Sequence, residues 1–378
     1  MLRGLLVVLL TLFPAASISG IDVAAYQETV VYTCPMHPEV QSSTEGVCPK
    51  CQMKLVVQAP AKKDKAAEET AEAYTCPMHL EVRTSAPGKC PKCGMPLVAA
   101  NPAISEEFNL RMETAPATPK AGEKVRLRFM VNDPRTGQQV KQFQVMHDKL
   151  FHLFVISQDL KQFQHIHPRF EPDGSFSIET RLPDPGNYKI YCDIYPLEGV
   201  PQVIQHNLTT AGYAPDLLGS QARLVPDTTL TKIGEAVRVS PENAEKLGVE
   251  FVSLPTGAVN SIKVELKPEP SEIIAGRPVT LRYNLTDAKT GEPVRDLAPY
   301  LSAWGHTLIL SEDQSDYVHS HPSETVPTDV ERSKLRGGPA VTFEALFPRP
   351  GNYRIWTQFL RGNTIITVSF DVKAKRLQ

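Results

Sequence analysis

Cysteine, histidine and methionine recur in a fixed pattern near the start of the chain. The stretch YTCPMHPEV begins at Tyr32 and is followed by CPKCQM from Cys48, and the same pattern returns 42 residues later from Tyr74 and Cys90. Each copy holds three thiols, one imidazole and two thioethers. These groups bind borderline and soft ions such as Zn(II) and Cu(I). The chain therefore carries a candidate metal site twice.

Within each copy the thiols and the imidazole are spaced as two ligand pairs, C-x-x-H and C-x-x-C. This spacing lets both side chains of a pair reach one ion, and two pairs close a tetrahedron. Each copy spans fewer than about thirty residues, so it needs a metal or a disulfide to fold. In the metal-free form, the alternative is a disulfide bond within either C-x-x-C pair. The predicted Cys₃His ligand sets are Cys34, His37, Cys48 and Cys51, and Cys76, His79, Cys90 and Cys93.

Methionines stand at equivalent places in the two copies. A thioether beside thiolates favours Cu(I), whereas the thiolate and imidazole set alone suits structural zinc. The chemistry leaves both metals open, and it leaves open that two of the methionines only pack a small core. The candidate thioether ligands are Met36, Met53, Met78 and Met95.

Histidines form a second set of candidate ligands later in the chain. An apolar run that starts with histidine is followed by a polar turn and then by H-x-H-P, and this arrangement occurs twice. The two histidines of H-x-H share one face of a strand. A two-residue hairpin turn would place residue 157 opposite 160, and thus His152 opposite His165 and His306 opposite His319. The predicted triads are His152, His165 and His167, and His306, His319 and His321.

Three imidazoles on one hairpin face suit Cu(II) or Zn(II). The alternative is a structural cluster of neutral histidines bonded to the backbone near the proline that ends the strand. The occurrence of two matching triads favours the metal. His147 can join the first triad, but its counterpart in the second is Leu301, so it is not part of the shared pattern.

These triads sit inside a larger internal repeat that must position them. AGEKVRLRF from Ala121 matches AGRPVTLRY from Ala275, at a separation of 154 residues that also relates the two H-x-H-P motifs. PGNY from Pro185 matches PGNY from Pro350 at a separation of 165, so the added residues belong to a polar loop within 323–338. A separation held across several blocks indicates two copies of one domain.

Both copies are predicted to be mainly β. Apolar and polar residues alternate over 124–131, and turn residues recur at short intervals. This pattern and a size of about 100 residues fit immunoglobulin-like β-sandwiches. Between them, 213–258 holds alternating segments and a helical turn over 240–247 capped by Ser240; whether it joins a domain or connects two stays open. The predicted domains are a zinc-ribbon-like module at 30–57, a linker at 58–73, a second such module at 74–99, a sandwich at 104–212, the connecting segment at 213–258 and a sandwich at 259–374.

The first 19 residues have the features of a signal peptide: a basic residue, a short apolar run and small residues for cleavage. The apolar run is too short to cross a bilayer, so we expect a periplasmic or secreted protein without a membrane span in its mature form. Net charge is −2 and basic residues are dispersed, which argues against a nucleic-acid partner. Cys192 is expected to be a buried apolar residue rather than a reactive thiol.

The cysteine-rich repeat resembles the heavy-metal-binding domain, which is found in periplasmic copper/silver efflux adaptors and copper-transporting ATPases. The resemblance implies that the module cysteines and methionines named above, together with His37 and His79, are ligands, and that a metal efflux or transport protein is a partner. Gln52 and Leu80 replace the usual glycine and proline of the family without removing a ligand. The β-repeats are similar to sandwich domains that follow such modules in exported bacterial proteins, and loosely to small periplasmic copper-resistance sandwiches.

Three functions compete on these observations. The first is an exported, non-catalytic protein that sequesters copper or zinc ions or hands them on. The second is a structural or interaction protein in which zinc only stabilises the cysteine modules. The third is an enzyme, since a histidine triad with an open position can hold catalytic zinc. No Ser/His/Asp order and no phosphate-binding loop supports an enzyme, and we favour the first function.

Overall fold

The computed structural model forms two compact units, Met1–Asp64 and Lys65–Gln378. No helix in the part of the chain described has the length and apolar content needed to cross a bilayer. The predicted signal peptide at 1–19 and the linker, apart from Gln58, lie outside the described residues. The residues described are 31–33, 40–50, 54–58, 74–75, 82–89, 91, 97–99, 107–197, 199, 201–214, 222–251, 261–327 and 329–377.

The first unit contains a small antiparallel sheet with the strand order β2-β1-β3. Cys48 and Leu55 are buried beneath it, and Tyr32 and Val40 pack against them. The amide of Leu55 donates to the carbonyl of Gly46 over 2.9 Å and closes the loop between the strands. The strands are β1 (Val31–Thr33), β2 (Gln41–Ser42) and β3 (Val56–Gln58).

The second cysteine module repeats this arrangement with the order β5-β4-β6. Tyr74 pairs with Thr84 as Tyr32 pairs with Ser42. The amide of Leu97 donates to the carbonyl of Gly88 over 2.8 Å, which matches the bond of the first module. The strands are β4 (Tyr74–Thr75), β5 (Arg83–Thr84) and β6 (Val98–Ala99).

The first large repeat is a sandwich of two antiparallel sheets with orders β11-β12-β8-β7 and β10-β9-β13-β14. Along β8, every second side chain is buried, because the outer face of its sheet is in water. The mainly β prediction is therefore confirmed. The strands are β7 (Asn109–Ala115), β8 (Lys124–Asn132), β9 (Phe151–Ser157), β10 (Phe163–Ile166), β11 (Arg169–Phe170), β12 (Phe176–Arg181), β13 (Asn187–Ile194) and β14 (Gln202–Thr209).

The second large repeat has the same plan, with orders β15-β17-β18-β22 and β16-β24-β23-β20-β21, and β19 pairs with β23. The added residues form the predicted loop, in which 332–334 make one turn of 3₁₀ helix. The strands are β15 (Thr231–Ile233), β16 (Glu235–Arg238), β17 (Ile262–Glu269), β18 (Pro278–Asp287), β19 (Leu297–Ala298), β20 (His306–Ser311), β21 (Tyr317–Ser320), β22 (Ala340–Leu346), β23 (Gly351–Arg361) and β24 (Thr364–Ala374).

The segment between the repeats is more than a connector. Its strands β15 and β16 extend both sheets of the second sandwich. The predicted helical turn is α1 (Ala244–Leu247), whose N-cap is Asn243 rather than Ser240. The Asn243 side chain instead accepts a bond of 2.7 Å from the amide of Ser240. Strands β15 and β16 both precede residue 259, the predicted start of the second sandwich, and pair with strands of that sandwich.

The cores of the two repeats differ by a linked set of substitutions. In the second repeat the hydroxyls of Thr307 and Thr357 lie 2.8 Å apart, and Thr357 donates to the hydroxyl of Tyr283 over 2.8 Å. The equivalent residues of the first repeat carry no hydroxyl, which leaves no buried oxygen to satisfy. Cys192 is fully buried there, as predicted. The equivalent residues are Phe129, Leu153 and Cys192.

A buried tyrosine closes the corner before β13. The hydroxyl of Tyr188 donates to the carbonyl of Asp184 over 2.8 Å and accepts from its amide over 3.0 Å. Tyr353 makes the same two bonds to Arg349 in the second repeat. These bonds fix the chain where it crosses from one sheet to the other.

Tyr188→Phe should lower the free energy of unfolding by about 1–2 kcal/mol, because the hydroxyl and both backbone groups of Asp184 lose their bonds. Urea unfolding followed by circular dichroism measures this change. Tyr213→Phe, at a partly exposed tyrosine, is the control. Equal unfolding midpoints for wild type and Tyr188→Phe would contradict the structural role.

The two sandwiches pack face to face through the sheets that contain β9 and β20. Every residue of both strands is buried, because one face meets its own core and the other meets the neighbouring sandwich. Phe163 stacks on Trp356 with ring centres 5.1 Å apart. Gln314 donates to the carbonyl of Ser157 over 2.9 Å, and Arg354 donates to that of Leu160 over 2.8 Å. This interface brings the two histidine hairpins together.

Candidate metal centre

The hairpin of β9 and β10 carries the first histidine triad, but its predicted register is wrong by two residues. Phe154, rather than His152, lies opposite His165. The loop has four residues instead of two, since the amide of Ser157 donates to the carbonyl of Gln162. Leu160 within it has a positive φ of 59°. A shift of two keeps each side chain on the same face, so the triad still converges.

The hairpin of β20 and β21 shows the same register. Leu308 lies opposite His319, and the amide of Ser311 donates to the carbonyl of Asp316 over 3.2 Å. Gln314, the equivalent of Leu160, has a φ of 56°. Both hairpins therefore have the same four-residue loop with a left-handed residue at the same position. The alternation of apolar and polar residues did not predict this loop.

Each predicted triad gathers its ring nitrogens into a small volume. In both groups the three candidate ligand atoms lie within 4.8 Å of one another. Five of the six residues are buried, with His152 1% exposed and His306 2% exposed, and His321 is partly exposed. The structure thus brings together all six histidines that the sequence singled out. The groups are His152, His165 and His167, and His306, His319 and His321.

Hydrogen bonds fix which nitrogen of each ring in the first triad carries the proton. His152 donates through Nε2 to the carbonyl of Met146 (2.9 Å), and His165 donates through Nδ1 to Oε1 of Gln358 (2.9 Å). The remaining nitrogens, Nδ1 of His152 and Nε2 of His165, therefore face each other as lone pairs at 3.2 Å. His167 donates through Nδ1 to Lys246 O, and its Nε2 is buried without a partner. A cation is the group that three converging lone pairs can satisfy.

The second triad is arranged in the same way. His306 donates through Nε2 to the carbonyl of Tyr300 over 3.0 Å. His319 donates through Nδ1 to the carboxylate of Asp193 over 3.0 Å. The other nitrogens of these rings, with Nε2 of His321, are buried and have no hydrogen-bond partner. Asp193 and Gln358 occupy equivalent places in the two repeats, and each orients a histidine of the other sandwich.

A seventh histidine, His147, joins the second triad and not its own. It stacks on His321 with ring centres 3.5 Å apart and meets His306 edge-on at 5.6 Å. Its Nε2 is also buried without a hydrogen-bond partner. From the sequence, His147 can join the first triad although its equivalent is Leu301, whereas the structure places it beside the second triad. Only contact between the sandwiches reveals its position.

The connecting segment closes the cluster on one side. The Lys246 carbonyl accepts from both the amide and the ring of His167. Gly248, with a φ of 72°, lies against the same ring, and a Cβ there would be 2.8 Å from Cε1 of His167 and 2.5 Å from Cδ2 of Leu301. The hydroxyl of Tyr300 donates to the carbonyl of Leu247. Glycine is required at 248 for this close approach.

Burial keeps most of the cluster neutral. It lowers the pKa of His152 to about 4, although the carboxylate of Asp193 acts in the opposite direction. Burial, followed by repulsion from neighbouring histidines, also lowers the pKa of five others. Neutral imidazole is the form that binds metal. The five are His147, His165, His167, His306 and His321.

Of the predicted ligands in the cysteine modules, Cys48 is the one within the described residues, and it is fully buried. Burial raises the pKa of the Cys192 thiol, which agrees with its role as a core residue. The predicted ligands outside the described residues are Cys34, Met36, His37, Cys51, Met53, Cys76, Met78, His79, Cys90, Cys93 and Met95.

Comparisons with known families divide the chain in the same way. Residues 31–57 and 73–100 match the heavy metal binding domain. Residues 105–212 and 257–376, more than half of the chain, match a domain of unknown function (DUF8832). No curated protein matches the chain.

Several solved structures are similar to the chain at low sequence identity. The Yersinia pseudotuberculosis adhesin InvE is 8% identical with a TM-score of 0.21, and the match covers 73% of this chain and 61% of the adhesin. A carbohydrate-binding module of the β-sandwich superfamily is 10% identical with a TM-score of 0.19, and the match covers 72% and 94%. A Ca²⁺-stabilized adhesin from an Antarctic bacterium is 6% identical with a TM-score of 0.18, and the match covers 72% and 49%.

Proposed function

We propose, from the premise that this chain belongs to the DUF8832 family and carries two heavy metal binding domains, that it is an exported, non-catalytic protein of metal homeostasis. It sequesters copper or zinc ions or hands them on. The cysteine modules are its zinc-ribbon-like exchange sites, and the histidine triads hold further ions. Its partner is a metal efflux or transport protein, as the resemblance of the cysteine modules implies.

One observation carries the metal-binding role of the sandwiches: ring nitrogens that lack a proton converge in each triad. Backbone carbonyls and two side chains accept from the opposite nitrogens of five of the six rings and hold those rings in that tautomer. Nε2 of the sixth ring, His321, is buried without a hydrogen-bond partner. Metal-binding histidines characteristically donate their second nitrogen to such acceptors. In a structural cluster of neutral histidines, the second nitrogen of each ring would instead accept a hydrogen bond from a donor.

The burial of the triads supports a non-catalytic role. His165 is 3% exposed and His319 is 8% exposed, so a substrate has little access to an ion held there. The order of strands and the tyrosine corners at Tyr188 and Tyr353 support the assignment of each sandwich as immunoglobulin-like.

Metal content of the full chain, exported to the periplasm and grown with copper and zinc, tests this function. Mass spectrometry should find more than about two ions per wild-type chain, because two cysteine modules alone account for about two. A variant with His152, His165, His167, His306, His319 and His321 changed to glutamine should retain about two. His206→Gln, at a histidine outside the cluster, is the matched control.

Two outcomes would overturn the proposal in different ways. About two zinc ions in all three proteins would restrict metal to the cysteine modules and favour the structural or interaction protein. No bound ion in a folded wild-type chain would remove the metal function altogether. Far-UV circular dichroism verifies that the histidine variant is folded.

A further inference from the structure

The two triads are not separate sites, because their rings are in contact across the sandwich interface. The ring of His152 lies 5.6 Å from that of His319 and 6.4 Å from that of His306. The ring of His165 lies 5.8 Å from that of His306 and 6.0 Å from that of His319. Ions held by the two triads would therefore be immediate neighbours within one buried volume.

The two halves of this cluster differ in the number of their imidazoles. His147 crosses the interface and brings the second triad to four rings, with Nε2 buried and without a hydrogen-bond partner. The equivalent place beside the first triad is occupied by Leu301. Its side chain and the ring of His167 both lie against Gly248. One position thus has four imidazoles and the other has three imidazoles and an apolar neighbour.

Both crossing residues are held in tight turns of unfavourable backbone conformation. His147 and Asp148 have φ values of 44° and 66°, and Leu301 and Ser302 have values of 51° and 57°. These are type I′ turns, which normally contain asparagine or glycine. A hydrogen bond joins the two turns, because the hydroxyl of Ser302 donates to the carboxylate of Asp148. Strain of this kind persists where the surrounding structure holds a functional side chain in place.

We propose that the seven histidines form one dinuclear centre for a pair of Cu(I) ions, with a four-imidazole position and a three-imidazole position. This inference rests on the proposed function and specifies the metal, the number of ions and the role of His147. Cu(I) is a d¹⁰ ion that accepts three nitrogen ligands as well as four, and imidazole suits copper. Each ion needs both sandwiches, because His147 crosses between them and Asp193 and Gln358 orient rings of the opposite sandwich.

The charge of the two bound ions determines whether the centre can hold a pair of monovalent or of divalent metal ions. Imidazole binds a metal ion as a neutral ligand, and Asp193 is the carboxylate that is hydrogen-bonded to the cluster. At equal separation, two dications repel each other about four times as strongly as two monocations, since the energy follows the product of the charges. Buried charge without compensation is also costly. Zn(II) is therefore expected to fill only the four-imidazole position, whose ligand number matches tetrahedral zinc.

The test uses the full chain with all twelve predicted module ligands replaced (cysteine by serine, His37 and His79 by glutamine, methionine by leucine), so that the bound ions counted are those of the histidine cluster. Anaerobic titration with Cu(I) should saturate at about two ions per chain, and titration with Zn(II) should saturate at about one. His147→Leu should weaken Zn(II) binding at least about tenfold and leave the Cu(I) count at about two. Leucine is suited to this turn because Leu301 already occupies the equivalent one. His206→Leu is the matched control.

The outcomes separate this inference from the function on which it rests. Failure of this folded chain to bind Cu(I) or Zn(II) would overturn both the dinuclear centre and the metal-binding role of the sandwiches, whereas the metal content of the unaltered cysteine modules tests the rest of the proposed function. Binding of about two Zn(II) ions, or an unchanged Zn(II) affinity in His147→Leu, would overturn the dinuclear copper centre alone. X-ray absorption of the Zn(II)-loaded protein gives a second measurement that needs no variant of His147. About four imidazoles around zinc support the inference, and about three contradict it.

Discussion

The metal-free protein should lose most of its stability when the pH falls from 7 to 5.5. Six histidines of the cluster have pKa values below the ordinary value of 6.5, because burial of their rings disfavours the charged form, and that of His152 is lowered to about 4. Below pH 6.5 the unfolded chain therefore binds protons that the folded chain does not. Stability then falls as the pH falls, from about 6.5 down to the folded pKa values. Each such group contributes about 1.4 kcal/mol per pH unit.

The sum over six groups reaches several kcal/mol within one pH unit, which is comparable with the total stability of about 5–15 kcal/mol for a folded domain. Asp193 opposes the effect and Lys149 adds to it, since they face His152 with opposite charges. Urea unfolding at pH 7, 6 and 5.5, followed by near-UV circular dichroism, measures the loss. The variant with six glutamines should show a much flatter pH dependence, and Cu(I)-loaded wild type should unfold at lower pH. Equal stability of the metal-free wild type at pH 7 and 5.5 would contradict this prediction.

Cys48→Ser should abolish metal binding by the first cysteine module and with it the fold of that module. Cys48 is fully buried against Leu55 beneath a sheet of three short strands. A module this small has little apolar surface to bury, so its folding depends on the ion. Structural zinc supplies about 10–16 kcal/mol of apparent binding free energy in comparable peptides. A serine hydroxyl is a poor replacement for a thiolate ligand.

Metal content should fall by about one ion per chain in Cys48→Ser, since the second module keeps all of its predicted ligands. Amide NMR signals of 31–58 should collapse to unfolded positions, whereas those of the sandwiches stay unchanged. Ser43→Ala, an exposed position in the same loop, is the control. Full metal content with unchanged spectra would show that Cys48 is not a ligand.

Within one domain, the length of the loop between β9 and β10 could not be predicted from the sequence. The polar stretch after Ser157 is compatible with loops of two or four residues, and both leave the histidines on one face. The four-residue loop forms because Asp159 accepts from the hydroxyl of Ser157 and from the amide of Lys161, and Leu160 takes the left-handed conformation. Such side-chain bonds to the turn cannot be read from apolar periodicity.

The sequence by itself determined the two cysteine modules, the two β-rich repeats and the two histidine triads. Each depends on short-range spacing, and the separation of 154 residues repeats it across the chain. A pattern of period two places H-x-H on one face whatever surrounds the strand. Six candidate ligands could therefore be named before any contact between the sandwiches was known.

Only the tertiary structure decided that both triads belong to one buried cluster. The position of His147 beside His321, and the bonds of Asp193 and Gln358 to histidines of the opposite sandwich, are contacts between residues far apart in the chain. Comparison of the repeats could associate His147 only with the triad of its own repeat, because it aligns equivalent residues and does not identify spatial neighbours. A signal of the interface was nevertheless present, since β9 and β20 are continuous apolar runs where β8 alternates. A strand buried on both faces requires a second surface, and burial of that second face is what excludes water from the histidines.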